Sequence, residues 1–303
     1  MQDPTALFTM GALPDLDRPV LVQALDGFVD AGSGRRLARE HLLHALDSDP
    51  LVSFDVDQLV DYRSQRPELT FTTDHWDGYT APELAVHRIR DLDGTSFLLL
   101  HGREPDMQWE RFIAAMEHIV ATLEVRLLIG MDAIPMAVPH TRPATVIAHG
   151  TPPELVAEYP KWLPTVRVPA SVGNLLEYRV AKAGTAACGF AVAVPHYVAH
   201  LDYPEAAATL LNSVARAGEL SLPIEALARA AGVMRADIDK QMAESEQVAS
   251  LVRGLEQQYD ELTAGRGDGL LAEGARLPTA DELAAEFEQY LSNRPESGDD
   301  TPA

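Results

Sequence analysis

The sequence predicts an α/β fold, with a central mixed, mostly parallel sheet flanked by helices and an α-helical C-terminal extension. Short apolar runs typical of buried strands alternate with helical patterns as far as residue 217. Strand signals stop after residue 222, where alanine, glutamate, glutamine and leucine predominate. We therefore expect an α/β core at residues 1–220, a helical extension at 221–292 and a disordered tail at 293–303.

The chain is organised around its first strand, turn and helix, at residues 19–46. Residues 20–25 are almost wholly apolar and predict a strand buried on both faces. A turn rich in glycine and aspartate follows, and an amphipathic helix begins near Ser33. Ligands of α/β folds tend to bind at the carboxyl end of such a strand. Residues 26–35 are therefore the first place to search for a functional site.

The later elements follow from hydrophobic periodicity and turn signals. Further strands are expected at residues 52–62, 69–73, 84–90, 95–100, 125–131, 145–148 and 186–194. Further helices are expected at residues 107–123, 171–183, 204–217, 224–231, 236–259 and 281–291, with another helix start at Thr151 and Pro152 and a glycine-rich link at 265–274. The tight turn at residues 91–94 predicts a hairpin, so the sheet should be mixed.

Charge and cysteine content exclude several classes of function. The chain has 24 lysine and arginine residues against 46 aspartate and glutamate residues, a formal charge of −22, which argues against nucleic-acid binding. The single cysteine, Cys188, lies in an apolar run and is expected to be a core residue of a protein from a reducing compartment. No run approaches the ~18 apolar residues of a membrane span, and no signal segment is recognisable, so we expect a cytoplasmic protein.

The turn at residues 32–36 allows two interpretations. Backbone N–H groups and the guanidinium groups of Arg35 and Arg36 could bind an anion at the helix start. The alternative is a glycine turn chosen for its backbone geometry, with Ser33 capping the helix. Asp26 and Asp30 lie beside the turn and would repel a phosphate, which favours the second interpretation.

Polar residues follow three other predicted strands. His101 and Glu104 end one strand, His140 and Arg142 lie in the loop after another, and His196 and Tyr197 end a third. If these strands are parallel neighbours, the polar groups meet at one edge of the sheet. A histidine beside a carboxylate can perform general acid–base catalysis, although each histidine alone is also typical of an ordered turn.

Other catalytic and binding patterns are not met. His196 and His200 are four residues apart without a matching pair or cysteine ligand, so no zinc site or other metal site is expected. The sequence contains no nucleophile elbow, dinucleotide-binding glycine pattern or P-loop, and we expect no cofactor.

Four segments resemble the PAC2 family, the proteasome assembly chaperone 2-like proteins, in its actinobacterial branch. These segments are Gly-Phe-Val-Asp-Ala-Gly at residues 27–32, Gly-Arg-Glu-Pro-Asp at 102–106 with Trp109 and Glu110, Val-Pro-His-Thr-Arg-Pro at 138–143, and Ala-Val-Pro-His-Tyr-Val-Ala at 193–199. The likeness spans residues 20–219, and the two Pro-His segments occur in the family's order.

The resemblance implies an α/β core similar to purine nucleoside phosphorylases (phosphorylase/hydrolase-like), a helical C-terminal addition and self-association, with a trimer as one candidate. Eukaryotic relatives escort proteasome subunits, whereas the bacterial members have no assigned activity or agreed catalytic residues. The site candidates are therefore strand-end residues only: Asp30, Ser33, Arg35, His101, Glu104, His140, Arg142, His196 and Tyr197.

Three hypotheses of function stay open at this point. The first, which we favour, is a non-catalytic assembly or protein-binding factor linked to proteasome or AAA-ATPase components. The second is a small-molecule enzyme, a nucleoside hydrolase or phosphorylase, that uses a strand-end pocket. The third is that the C-terminal helices serve only to clamp a homo-oligomer.

Overall fold

The computed structural model describes residues 2–12, 16–162, 165–244 and 246–264. Within these ranges the strands are β1 Phe8–Met10, β2 Val20–Asp26, β3 Ser48–Phe54, β4 Leu69–Thr72, β5 His75–Tyr79, β6 Leu84–Arg90, β7 Ser96–Arg103, β8 Leu127–Met136, β9 Val146–Thr151 and β10 Ala186–Pro195. The α-helices are α1 Gly34–Ala45, α2 Trp109–Thr122, α3 Val172–Lys182, α4 Pro204–Gly218, α5 Glu225–Ala243 and α6 Glu246–Ala264. The helix expected at 281–291, the link at 265–274 and the tail at 293–303 lie outside the described residues.

Eight strands form one sheet in the order β1-β3-β6-β7-β2-β8-β10-β9. The four central strands β7, β2, β8 and β10 run parallel to one another. The outer strands join antiparallel, including the β6–β7 hairpin across the predicted turn. The prediction of a mixed sheet with parallel strands is confirmed. Because the central strands are parallel, their carboxyl ends share one edge of the sheet.

Helices cover both faces of this sheet, and β2 is buried on both sides as predicted. On one face, Val22 packs in a core cluster that includes Leu42 of α1 and Leu210 of α4. On the other face, Leu21 packs with Phe112 of α2 and other apolar residues of α2 and α3. Cys188 is fully buried, and burial raises the pKa of its thiol to about 12, which agrees with its predicted place in the core.

The C-terminal helices pack on the α/β core. Leu227 and Ile238 of α5 belong to the same core cluster as α1 and α4. Val252 and Leu255 of α6 are also buried. Among the residues described, no helix has both the length and the apolar character needed to cross a bilayer.

Several boundaries differ from the sequence prediction. β3 begins at Ser48 and ends at Phe54, and the helix expected at Thr151 is a single 3-10 turn at Pro153–Val156. The gap expected between residues 231 and 236 is absent, because α5 continues through it. Strand β7 extends to Arg103 instead of ending at residue 100, because β6 and β2 pair with it as far as Gly102 and Arg103.

Gly102 allows a close backbone approach between β7 and the residue before β6. Its φ of +106° lies in the region that glycine adopts without strain, and a Cβ at this position would lie 2.0 Å from the carbonyl oxygen of Glu83. The N–H of Arg103 donates to that same oxygen at 2.8 Å. Only glycine can therefore hold Glu83 at this position beside β7.

Strands β4 and β5 form a separate hairpin in which every residue is exposed. Phe71 pairs with Trp76 and Leu69 pairs with Tyr79, and a register shift between the two pairs adds one residue to β5. Directly paired residues lie on the same face of a hairpin, so all four apolar side chains share one face. We call this set the hairpin face. The rings of Phe71 and Trp76 meet edge to face, with centroids 5.1 Å apart.

Candidate functional site

The predicted site residues separate into two groups of contacts, apart from His101. We call Asp30, Arg35, Glu104 and Asp132 the strand-end cluster, because they gather beside the carboxyl ends of β2 and β7. Asp132 comes from within β8 and Arg35 from the first turn of α1. We call His140, Arg142 and Tyr197, with the acidic residues of α5 and α6 that they contact, the C-terminal clasp. Ser33 lies at the start of α1, beside the strand-end cluster.

Asp30 caps the start of α1. Its carboxylate accepts hydrogen bonds from the backbone N–H groups of Arg35 and Arg36, at 2.8 and 2.9 Å. Ser33 has a left-handed backbone and makes no side-chain cap hydrogen bond, so its predicted role as the cap is wrong. The Asp30 carboxylate occupies the position that a bound anion would take at this helix start.

Arg35 is almost completely buried and holds the strand-end cluster together. Its guanidinium donates to the carboxylate of Asp132 at 2.8 Å and to the carbonyl oxygen of Val29 at 2.9 Å. Burial raises the pKa of Asp132, and the nearby Arg35 opposes part of that shift. Sequence reasoning missed Asp132, because the strand was predicted to end just before it.

Glu104 joins the strand-end cluster to α3. Its Oε1 accepts the backbone N–H of Val172 at 2.5 Å, which satisfies one of the free donors at the start of this helix. Burial raises the pKa of Glu104. Ser171 accepts from the N–H of Asn174 at 3.1 Å and thus caps the start of the same helix.

A further polar layer lies between α3 and the sheet, next to the strand-end cluster. His149 of β9 and Glu177 of α3 are 3.0 Å apart, and their hydrogen bond raises the pKa of His149. Gln23 of β2 lies against Gly173. A Cβ added to Gly173 would lie 2.3 Å from the Nε2 atom of Gln23. Sequence reasoning missed this layer, because its members are far apart in the chain and share no recognisable spacing.

The C-terminal clasp is centred on His140, which is 2% exposed. The hydroxyl oxygen of Tyr197 accepts the backbone N–H of His140 at 2.8 Å and lies 2.6 Å from its Nδ1. The other ring nitrogen of His140, Nε2, lies 3.2 Å from a carboxylate oxygen of Asp239 of α5. These contacts engage both ring nitrogens of His140 within the protein.

Arg142 connects the same loop to α6. Its guanidinium donates to both carboxylate oxygens of Asp260, at 2.8 and 2.7 Å, and to Glu256 at 3.1 Å. The pair with Arg142 lowers the pKa of Asp260, although both groups face solvent and such pairs contribute little to stability. The adjoining crevice, beside Pro143, has a volume of about 10 Å³. That is room for about one water molecule and not for a nucleoside.

The three predicted histidines do not share one pocket. The ring of His196 packs beside Tyr197, with centroids 5.4 Å apart, so His196 and His140 border the same tyrosine. Burial lowers the pKa of His196. His101 lies inside β7, not in a turn after it, and contacts the ring of His87. Two strands separate β7 from β10, a distance of about 14 Å.

Replacing Tyr197 by phenylalanine is expected to lower the free energy of unfolding by about 3 kcal/mol. The substitution removes the hydroxyl partner of two His140 groups, and an unsatisfied buried group costs about 1–3 kcal/mol. Urea unfolding measures the change. Tyr62→Phe is the matched control, because the exposed hydroxyl of Tyr62 donates to Asp57 at 2.6 Å and its loss should cost less than about 0.5 kcal/mol. Equal losses in both variants would contradict the structural role of the clasp.

The raised pKa of Glu104 predicts a pH-dependent effect of the Glu104→Gln substitution. The folded protein binds this proton more tightly than the unfolded chain, so the wild type loses stability as the pH rises from about 4.3 through the raised pKa. Glutamine does not titrate and retains an acceptor for the N–H of Val172. The difference in unfolding free energy, variant minus wild type, should therefore increase over that range and then level off.

Urea unfolding between about pH 4 and pH 7 measures this difference. Glu110→Gln, at an exposed carboxylate paired with Arg179, serves as the control. A constant difference between Glu104→Gln and the wild type over this range would contradict the assignment.

Comparisons with known proteins match most of the chain. The sequence profile of the PAC2 family matches residues 24–242. A solved structure of a Mycobacterium tuberculosis protein of unknown function is 47% identical, with a TM-score of 0.82 over 86% of this chain and 92% of that chain. A Corynebacterium glutamicum protein of unknown function is 35% identical, with a TM-score of 0.82 over 86% of this chain and 99% of that chain.

A third solved structure carries a functional description. The Mycobacterium tuberculosis proteasome-assembly chaperone homologue is 26% identical, with a TM-score of 0.71 over 77% of this chain and 99% of that chain. The search of curated proteins gave no match. The range matched by the family profile contains all nine predicted site residues and ends within α5.

Proposed function

The chain belongs to the PAC2 family, and on that premise we propose that it is a non-catalytic, assembly-chaperone-like protein that binds proteasome or AAA-ATPase components. The observation that carries this proposal is a contrast between two surfaces. The polar residues of the strand-end cluster contact other residues of that cluster, and those of the C-terminal clasp contact other residues of the clasp. The hairpin face, in contrast, presents four large apolar side chains to solvent. Exposed apolar surface of this kind is typical of protein-binding regions.

The hairpin face is the surface at which we place self-association. An isolated two-stranded hairpin is marginally stable in water, so a partner that covers its apolar face stabilises it. The other face carries Thr70, Thr72, His75 and Gly78, which gives the hairpin one apolar and one polar side. If the apolar side of each copy packs on a different surface of the next copy, the contacts close into a symmetric ring, of which a trimer is the candidate.

The C-terminal helices have a different role in this proposal. Arg142, His140 and Thr141 bind acidic side chains of α5 and α6 of the same chain. These contacts support a role for α5 and α6 within one protomer rather than as a clamp between protomers. Deleting residues 222–303 would then leave the oligomeric state unchanged, whereas a shift to monomer would favour the clamp hypothesis.

The charge of the chain favours a protein partner with a basic surface. The formal charge is −22, and a field of that sign attracts basic surfaces and speeds their association. A protein partner with a basic surface is consistent with the cytoplasmic location that we propose for the chain. Binding through this field should weaken as the salt concentration rises.

Affinity capture with the full-length chain tests the function. Tagged wild-type protein is incubated with native actinobacterial lysate, cross-linked, and analysed by mass spectrometry. The proposal predicts enrichment of proteasome subunits or of a ring-forming AAA-ATPase, and that purified preparations of the same proteins bind directly. Capture in which neither class of protein is enriched after cross-linking would overturn it.

The strand-end cluster favours a second candidate function. Glu104 and Asp132 have raised pKa values and lie near the buried cation of Arg35, at the edge of the sheet where α/β enzymes bind ligands. This is the location that a nucleoside hydrolase or phosphorylase would use. In that case a nucleoside, with or without phosphate, should raise the melting temperature of the wild type and not that of Glu104→Gln. The absence of any stabilisation across a nucleoside library would exclude this candidate.

A further inference from the structure

A histidine pair and a carboxylate meet on one face of the β6–β7 hairpin. Ala85 pairs directly with His101 across the two strands. Side chains alternate along an extended chain, so Glu83 and His87 lie on the same face as Ala85, one on each side of it. The small side chain of Ala85 leaves room between them for the ring of His101. One ligand atom from each of Glu83, His87 and His101 lies within 4.8 Å of the other two.

The nitrogen atoms of this group have few partners. Within the described part of the chain, the buried Nδ1 of His87 and the buried Nε2 of His101 make no hydrogen bond, and the buried Nε2 of His87 has only a long contact with Glu83. The Nε2 of His87 lies 3.4 Å from a carboxylate oxygen of Glu83, a separation within ion-pair range. His101 as a residue is 4% exposed. Buried nitrogen atoms without partners destabilise a fold, so their presence calls for a ligand that satisfies them.

The two rings are arranged edge to face, with centroids 4.5 Å apart. Burial lowers the pKa of His101 to about 4. Glu83 supplies negative charge, and the neighbouring His87 lowers its pKa. Arg39 of α1 also faces the group, and its charge is offset by an ion pair with Asp26 of β2.

We propose that Glu83, His87 and His101 form a binding site for a divalent transition-metal ion, with Zn²⁺ as its natural ligand. Two imidazoles, one carboxylate and one water molecule are a known tetrahedral ligand set for zinc. Zinc–ligand distances of 2.0–2.1 Å place the ligand atoms about 3.3 Å from one another. The exposed side chain of Glu83 supplies most of the movement that closes the site, because the rings of His87 and His101 are largely buried.

A metal ion at this position would stabilise the base of the β4–β5 hairpin. Glu83 is the fourth residue after Tyr79, the last residue of β5, and immediately precedes β6. The ion would fasten this connecting segment to β7, next to the backbone contact between Glu83 and Gly102. Sequence reasoning does not reveal the site, because Glu83 and His87 are 14 or more residues from His101. The proposal is independent of the proposed function, because it concerns metal binding alone.

Zinc titration of the full-length protein tests the proposal. Protein freed of metal by chelation is titrated with Zn²⁺ in a calorimeter, and with Co²⁺ while the visible absorption spectrum is recorded. We expect one equivalent per chain, a tetrahedral Co²⁺ spectrum and a higher melting temperature with Zn²⁺. Glu83→Gln and His87→Gln should each weaken Zn²⁺ binding by at least about 100-fold, since loss of an outer-shell partner alone costs 10–100-fold.

His118→Gln is the matched control, because His118 is exposed and lies outside the site. It should bind Zn²⁺ as the wild type does. Both test positions are exposed or half-buried, and circular dichroism of the metal-free variants verifies that they fold. The proposal is overturned if Zn²⁺ does not bind stoichiometrically or if His87→Gln binds Zn²⁺ as tightly as the wild type does. It is also overturned if the Co²⁺ spectrum is that of an octahedral ion, as for Co²⁺ in water.

Discussion

The Phe71→Lys, Trp76→Lys double variant is expected to be a monomer, whereas the wild type is expected to form the homo-oligomer that we propose. Both side chains lie on the hairpin face, 56% and 63% exposed in the single chain. An aromatic side chain carries 150–250 Å² of surface, so covering the exposed part of both contributes about 5 kcal/mol per protomer. Losing that contribution weakens association by about 10³–10⁴-fold. Size-exclusion chromatography with multi-angle light scattering measures the change in mass.

The control for this prediction places the same charges on the opposite side of the hairpin. Thr70→Lys with Thr72→Lys adds two lysines to β4, but on the polar face. This variant should retain the mass of the wild type. If both double variants were equally monomeric, charge alone would explain the effect, and if neither were, the hairpin face would not be the self-association surface.

The Gly102→Ala substitution is expected to lower the free energy of unfolding by about 4 kcal/mol. The new Cβ would lie 2.0 Å from the carbonyl oxygen of Glu83, and the φ of +106° is one that alanine adopts only with strain. Backbone strain costs about 1–3 kcal/mol, and overpacking costs a similar amount. The melting temperature should fall by about 10 °C, as measured by differential scanning calorimetry.

Gly94→Ala separates the two causes of this loss. Gly94 also has a positive φ, +85°, but a Cβ there would meet nothing within 4 Å. It should therefore lose only the strain contribution, about 1 kcal/mol. If the two variants were equally stable, the close approach of Gly102 to Glu83 would not be a determinant of stability.

The parts of the fold that the sequence predicted well are those in which burial dominates. Strand β2 and helix α2 follow directly from apolar runs and three- and four-residue spacing, because neighbours cover them on the sides that the pattern specifies. The end of β7 was predicted three residues too early, because the polar segment His-Gly-Arg resembles a turn. That segment stays extended because strands on both sides pair with it, a long-range effect that local sequence does not reveal.

The candidate site could be predicted in part for a related reason. A glycine turn after a buried strand is a local signal, and it predicts the helix start beside which Asp30 lies. Its actual partners, the N–H groups of Arg35 and Arg36, were assigned to an anion or to Ser33. The bond between Arg35 and Asp132 joins residues 97 positions apart, and the bond between His140 and Asp239 joins residues 99 positions apart. No local pattern specifies such pairs.

Within the described residues, β4 and β5 pair only with each other and with no strand of the eight-stranded sheet. Shortening residues 68–80 to a brief linker would therefore leave every ladder of that sheet intact. Loops attached in this way tolerate insertion and deletion far better than paired strands do. Exchanging or lengthening this appendage would therefore alter the proposed self-association surface while the architecture beneath it is preserved.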